Sequence, residues 1–141
     1  MPNWCVNRLA IAGPPAAVKL LVEELASPDA ALDFAALRPT PPELLADQPV
    51  PAEGFPDWYE WRRTHWGVKW NASDVTRRGY GRTGRVRYRF MTPYGPPSAF
   101  LDFVAARYPE VAMSLSYDVE SLGRGMAAWA GGGRTSIGGH A

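Results

Sequence analysis

The stretch RVRYRF, residues 85–90, alternates strictly between arginine and a large hydrophobic side chain. A period of two is typical of a half-buried β-strand, in which successive side chains point to opposite faces. Val86, Tyr88 and Phe90 therefore predict a face packed on a core, and the three arginines predict a face open to solvent. This strand defines the two sides of the fold.

Two segments on either side of it carry the same alternation. Residues 5–12 (CVNRLAIA) and residues 111–120 (VAMSLSYDVE) place small or apolar side chains at every second position. A turn at Leu122-Gly123, followed by the apolar run 126–130, predicts a closing hairpin. The pattern therefore indicates a sheet whose strands come from both ends of the chain.

One more strand is predicted over residues 65–70 (HWGVKW), with Trp66, Val68 and Trp70 on its buried face. Residues 71–84, which contain three glycines, predict a mobile connection from this strand to residues 85–90.

Helices are predicted between these strands. After Pro14-Pro15, apolar residues at 18, 21, 22 and 25 form the stripe of an amphipathic helix, and a second helix covers residues 97–107. A short helix is predicted over residues 57–65, and a single turn near residues 41–45. Residues 28–57 are rich in proline and have no sustained period.

These elements predict an α+β fold in the order β-α-(insert)-β-β-α-β-β. The first six match the ferredoxin-like, split βαβ arrangement, an antiparallel sheet with two helices on one face. We predict a single domain over residues 1–130, with residues 28–64 as an inserted Pro-rich arm and residues 131–141 as a flexible Gly-rich tail. Either the open face of the sheet is exposed, or the 28–57 part of the arm covers it.

Composition restricts the class of protein. The 141 residues have a formal net charge of +1 and one cysteine, which excludes an internal disulfide and fits a reducing compartment. The N-terminus lacks the pattern of a signal peptide, and no apolar stretch approaches the roughly 20 residues of a membrane helix. We expect a soluble, cytoplasmic domain with no membrane partner.

The charge is distributed unevenly. Residues 62–89 contain nine Lys or Arg and one acid, Asp74, together with several aromatic residues. Such a segment favours a phosphate-bearing partner, because cations pair with phosphates and aromatic rings stack on bases. The candidate ligand-binding residues are Arg77, Arg78, Arg82, Arg62, Arg63, Lys69, Trp58, Trp61 and Tyr80, and the basic residues of the sheet face are Arg85, Arg87 and Arg89. The alternative is structural: Arg85, Arg87 and Arg89 pair across the sheet with Asp118 and Glu120, and Trp66 and Trp70 are core residues.

The sequence shows no set of residues for catalysis. His65 stands alone, because His140 lies in the Gly-rich tail, and Cys5 is expected to be a small core residue. These three side chains have no recognised metal-ligand spacing, so neither a metal ion nor a cofactor is expected.

Several short motifs carry a resemblance to a known family. MPNWCVN at residues 1–7, HWGVKWN at 65–71, a Thr-Pro turn before the second helix, and Tyr-Pro followed by a strand at 108–119 resemble the YubB/Api92-like proteins. The chain differs from the family pattern at Thr92-Pro93-Tyr94, where Thr-Ala-Trp is expected. The resemblance implies a ferredoxin-like domain and a phage or plasmid context, and implies no reaction.

The leading hypothesis is a non-enzymatic binding module of a mobile element that engages nucleic acid or a nucleotide. One alternative is a protein-binding inhibitor of a host defence complex, whose partner is a host protein. A second is a hydrolase or nucleotide-processing enzyme built around His65.

Overall fold

The computed structural model describes residues 3–45 and 54–135. The strands are β1 (Trp4–Ala12), β2 (Ser73–Arg78), β3 (Arg85–Pro93), β4 (Ala112–Val119), β5 (Gly123–Ala130) and β6 (Gly133–Arg134). The helices are α1 (Pro15–Leu25), α2 (Phe34–Leu37), α3 (Pro42–Leu45), α4 (Asp57–His65) and α5 (Ser98–Arg107). The protein is therefore of the α+β class, as the sequence predicts. None of the described helices is long and apolar enough to cross a membrane.

The strands form one open antiparallel sheet in the order β2-β3-β1-β4-β5-β6. β1 is an inner strand, with β3 on one side and β4 on the other. The strands predicted from alternation, β1, β3 and β4, are confirmed, and so is the hairpin that β5 closes.

One face of the sheet carries the core. The buried side chains of α1 (Val18, Leu21, Val22, Leu25) and of α5 (Phe100, Leu101, Val104, Ala105) belong to the same hydrophobic cluster as the apolar side chains of β1, β3 and β4. Each helix has proline at its start, where the missing backbone N–H would have had no partner within the helix. Both helices are confirmed close to their predicted bounds.

The described part of the Pro-rich arm packs on this helical side. Phe34 of α2 is fully buried, and its ring centroid lies 4.5 Å from that of Phe100 and 5.6 Å from that of Trp66. Residues 46–53 of the arm lie outside the described residues. Since the arm's anchor is on the helical side, the arginines of β3 remain exposed on the other face.

The strand predicted over residues 65–70 is wrong. α4 runs to His65, Trp66 caps it, and the Gly67 amide donates to the Arg62 carbonyl at 3.0 Å with Gly67 at φ +87°. A glycine in this left-handed conformation is a common way to end a helix. A side chain at Gly67 would also lie 3.2 Å from the Ser98 and Ala99 amides, so the turn packs directly on α5.

Of the two tryptophans predicted to be core residues, only Trp66 lies in the core. Trp66 is 1% exposed, whereas Trp70, beyond the turn, is 39% exposed. The second strand of the sheet is β2, inside the segment predicted as a mobile connection. It is an edge strand with one neighbour, and its inward residues are only half-buried, so its sequence, SDVTRR, lacks the apolar alternation of the inner strands.

The glycines that follow β2 form an anchored turn. A side chain at Gly81 would lie within 3.2 Å of Val18 and Lys19 of α1, and the Gly13 amide donates to the Gly84 carbonyl at 2.9 Å. The start of the predicted flexible tail is likewise ordered: Gly131-Gly132 turn the chain into β6, which pairs with β5. Residues 136–141 of that tail, with His140, lie outside the described residues.

Candidate anion-binding site on the open sheet face

Four arginines from three neighbouring strands meet on the open face. Arg8 of β1 lies directly opposite Arg89 of β3, and Arg87 of β3 lies directly opposite Arg78 of β2. All four residues are exposed. Strand alternation explains the grouping, because Arg8, Arg87 and Arg89 each lie between two buried residues, and Arg78 follows the half-buried Arg77.

These side chains line a shallow concavity of about 550 Å³. Its other polar members are the hydroxyl residues Thr76, Ser114 and Ser116, and its far wall includes Met126 of β5. No acidic residue lines it among the described residues. A concave surface with charge of one sign attracts anions and raises their local concentration.

The ion pairs expected across the sheet are not formed. β1 separates β3 from β4, so Asp118 lies opposite Val6 and not opposite an arginine of β3. Asp118 instead pairs with Arg124 at 3.3 Å, and the Glu120 carboxylate accepts the Trp4 amide at 2.7 Å.

The other ion pairs within the described residues are Arg107–Glu24 and Arg134–Asp102, both away from this face. Arg85, which lies opposite Ala12 at the end of β3, and the four arginines of the concavity therefore have no acidic partner in this part of the chain.

The three arginines predicted in the Gly-rich loop separate in space. Arg78 reaches the open face, whereas Arg77 points to the other side, where its guanidinium lies 4.4 Å from the Tyr80 ring. Arg77 also lies beside Tyr88. Burial raises the pKa of the Tyr88 hydroxyl to about 12, and the positive charge of Arg77 opposes part of this rise. Arg82 is exposed in the anchored turn.

Arg62, another candidate, is used inside the fold. Its Nε donates to the Thr40 hydroxyl at 3.1 Å and one terminal nitrogen donates to the Lys69 carbonyl at 3.2 Å. The guanidinium also lies 4.9 Å from the Trp58 ring and 5.0 Å from the Trp66 ring, and burial lowers its pKa. Arg62 therefore holds α4 against the arm and the segment after it.

Arg63 and Lys69 line a second concavity of about 490 Å³, together with Tyr59 and Tyr94. The Lys69 ammonium lies 4.4 Å from the Trp70 ring and 5.2 Å from the Tyr94 ring. The remaining tryptophan candidate, Trp61, stacks on His65 with centroids 4.3 Å apart and is partly buried. Of the candidates, Arg63 and Lys69 thus line this second concavity, which shares no lining residue with the concavity of the sheet arginines.

Packing explains much of the composition of the motifs at residues 1–7 (MPNWCVN) and 65–71 (HWGVKWN). Asn7 is fully buried and donates to the Thr92 hydroxyl at 2.9 Å, which in turn donates to the Gly95 carbonyl at 2.6 Å. Asn71 accepts the Phe34 amide at 2.9 Å and donates to Asp33 at 2.7 Å. One asparagine ties β1 to the turn after β3, and the other ties the arm to the start of β2.

The groups considered for catalysis are isolated. Burial raises the pKa of Cys5 to about 11, so its thiol is protonated at neutral pH. His65 donates through Nδ1 to the Trp61 carbonyl at 2.8 Å, since a carbonyl oxygen only accepts. No group of three His, Cys, Asp or Glu side chains in the described ranges could hold a metal ion.

The residue that sequence reasoning missed as a site member is Arg8. The alternation of residues 5–12 places it on the open face with the β3 arginines, but its distance in sequence from the basic segment 62–89 kept it from the candidate set.

Comparison with known proteins shows a class of fold. No family model and no curated protein matches the sequence. Among solved structures, the crystal structure of the protein api92 from Yersinia pseudotuberculosis is similar, with a TM-score of 0.60 and 11% identity over 100% of this chain and 99% of that chain. At this identity the likeness shows a shared fold alone, and at that level it agrees with the Api92-like resemblance of the sequence.

Proposed function

We propose that this protein is a binding module that holds a phosphate-bearing ligand, nucleic acid or nucleotide, on the open face of its sheet. The observation that carries the proposal is the group Arg8, Arg78, Arg87 and Arg89, hereafter the arginine face. Its four members come from three strands, form two directly opposed pairs, and line a concavity without an acidic residue among the described ones.

Like charges directly opposite each other in a sheet are destabilising, and this sheet carries two such pairs on one face. A bound polyanion would convert that repulsion into attraction, because each guanidinium forms strong, frequently bidentate hydrogen bonds with phosphate. Hydroxyls of Thr76, Ser114 and Ser116 supply further donors beside them.

The fold assignment and the biological context belong to the same proposal. The order β2-β3-β1-β4, with α1 after β1 and α5 after β3 on one side, supports the ferredoxin-like, split βαβ assignment. The phage or plasmid context rests on the resemblance to YubB/Api92-like proteins.

The test is a binding titration with fluorescently labelled single-stranded DNA, single-stranded RNA, duplex DNA and a nucleoside triphosphate. If four arginines each neutralise one phosphate of a single strand, the slope of log K against log salt is about −2.8, and it shrinks by about 1.4 in the double variant Arg87→Gln/Arg89→Gln. Lys19→Gln, which removes one charge from the exposed side of α1, is the control and should leave the slope unchanged. Absence of binding to every polyanion at low salt, or an unchanged slope in the double variant, contradicts the proposal.

The alternative function, binding a host protein through the same surface, is distinguished from nucleic-acid binding by nuclease treatment. A partner recovered from host lysate by the wild-type protein, retained after nuclease treatment and lost in Arg87→Gln/Arg89→Gln, would favour the inhibitor of a defence complex. The enzyme alternative gains nothing from the described surroundings of His65.

A further inference from the structure

We infer that the ligand of the arginine face is a single-stranded nucleic acid whose bases stack on an aromatic ledge formed by Trp4, Trp70 and Tyr94. This inference rests on the proposed function and narrows it, because a nucleotide or a duplex would not need both surfaces.

The ledge lies at one end of the arginine face. Trp4, Val6, Arg8 and Ala10 are alternate residues of β1, so Trp4 belongs to the same face as Arg8. Trp70 contacts Trp4, with ring centroids 6.1 Å apart, which places it at the same end. Lys69 joins Trp70 to Tyr94, since its ammonium lies within 5.2 Å of both ring centroids.

Two rings of this ledge are exposed, and the third, Trp4, is half-buried against Trp70. Trp70 is 39% exposed and Tyr94 is 51% exposed, although neighbouring residues of the same turns are buried. The Tyr94 backbone has φ +67° and its amide donates to the Asn3 carbonyl at 2.7 Å, so its position is held by the start of the chain. Large exposed aromatic rings beside cations are what a base-stacking surface consists of.

The dimensions agree with a short single strand. Ala10, beside the Arg78–Arg87 pair, is six residues from Trp4 along β1, which corresponds to about 20 Å. At the 3.4 Å rise of a stacked strand this distance takes about six nucleotides, and fewer if the strand is extended. Two carboxylates lie along this path: Asp118, opposite Val6, is paired with Arg124, and Glu120 accepts the Trp4 amide at 2.7 Å.

The geometry disfavours a duplex. The arginines lie within a concavity of the sheet and the aromatic rings at its end, and bases paired within a duplex do not present their faces to protein side chains. Single strands expose bases for stacking, and a sequence-tolerant groove with cations and aromatic side chains is the usual way in which they are held.

The experiment compares ligands on the wild-type protein and then on variants. The probes are fluorescently labelled six-nucleotide DNA and RNA, an abasic strand with the same number of phosphates, and a duplex of the same length. We expect the base-bearing single strands to bind roughly 5- to 150-fold more tightly than the abasic strand, the range that stacking of one base provides. The inference concerns single strands of either kind, so tighter binding of the DNA strand or of the RNA strand supports it.

The variants assign this difference to the ledge. Trp70→Leu should abolish the advantage of base-bearing over abasic strands, Trp70→Phe should retain part of it, and Arg87→Gln/Arg89→Gln should weaken both strands alike. The circular dichroism spectrum of each variant checks that it is folded, and the comparison of ligands on the wild type stands without any variant.

The outcomes also separate the two proposals. Equal affinity of wild type for base-bearing and abasic strands, or tighter binding of the duplex, overturns the inference and leaves the proposed function standing. Failure of every polyanion to bind at low salt overturns both.

Discussion

Arg8 and Arg89 lie directly opposite each other on neighbouring antiparallel strands of the sheet. Cα atoms at such positions are about 4.5–5.5 Å apart, so two exposed guanidinium groups share one small region of surface. Arg78 and Arg87 repeat the arrangement on the next pair of strands. The fold thus concentrates positive charge where sheet packing alone disfavours it.

Replacing one member of such a pair should stabilise the free protein. We expect Arg89→Gln to raise the free energy of unfolding by about 0.2–1 kcal/mol at low salt, because it removes a like-charge contact. The gain should shrink at about 1 M salt, where the screening length falls to about 3 Å. Urea denaturation at the two salt concentrations measures both effects. The exposed Lys19→Gln should show a smaller salt dependence, and a gain for Arg89→Gln that is equal at both salts would refute electrostatic repulsion as its cause.

The Asn71 side chain should matter more for stability than its partial exposure suggests. Asn71→Ala removes the acceptor of the Phe34 amide and the donor to Asp33. Leaving partly buried groups unpaired costs about 1–3 kcal/mol each. Chemical denaturation should show a loss of this size, compared with Asn3→Ala, whose side chain has no hydrogen-bond partner among the described residues. Equal stability of the two variants would contradict the role of Asn71 in holding the arm.

The ion pair between Glu24 of α1 and Arg107 of α5 should make a contribution to stability that is lost in acid. Hydrogen bonds from Arg107 and from the Tyr108 hydroxyl lower the pKa of Glu24 from 4.5 to about 2. A lowered pKa in the folded state means that the stabilisation is complete above about pH 4.5 and is lost as pH falls towards 2. The Glu24 side chain is 32% exposed, so the contribution is about 1 kcal/mol or less.

The measurement is the difference in unfolding free energy between wild type and Glu24→Gln as a function of pH. It should be constant above pH 5 and approach zero in acid. The neighbouring exposed residue provides the control, Glu23→Gln. A difference that stays the same between pH 5 and pH 2 would show that the pKa of Glu24 is not lowered.

The single thiol should be unreactive in the native protein. Cys5 is fully buried and its pKa is raised to about 11 by burial, so little thiolate is present or accessible at mildly alkaline pH. A chromogenic disulfide reagent should react only after denaturation in concentrated guanidinium, with Cys5→Ala as the blank. Rapid modification of the folded protein would show that β1 opens at this end.

Much of the fold could be predicted from local pattern. The alternation of residues 85–90 and 5–12 identified β3, β1 and their exposed arginines, and proline followed by an apolar stripe identified α1. Local pattern failed at residues 65–70. There the spacing of Trp66, Val68 and Trp70 imitates a strand, and the φ of Gly67, which depends on packing against α5, turns the chain instead.

The sequence by itself determined which side chains share a face within each strand, because alternation is a property of the backbone at neighbouring positions. It therefore determined that Arg87 and Arg89 point away from the core. Only the tertiary structure decided that Arg8 lies opposite Arg89, that Arg78 joins this face, and that Asp118 lies opposite Val6 and not opposite an arginine of β3. Strand order and register arise from pairing between residues distant in sequence. The arginine face exists because β3 lies between β1 and β2.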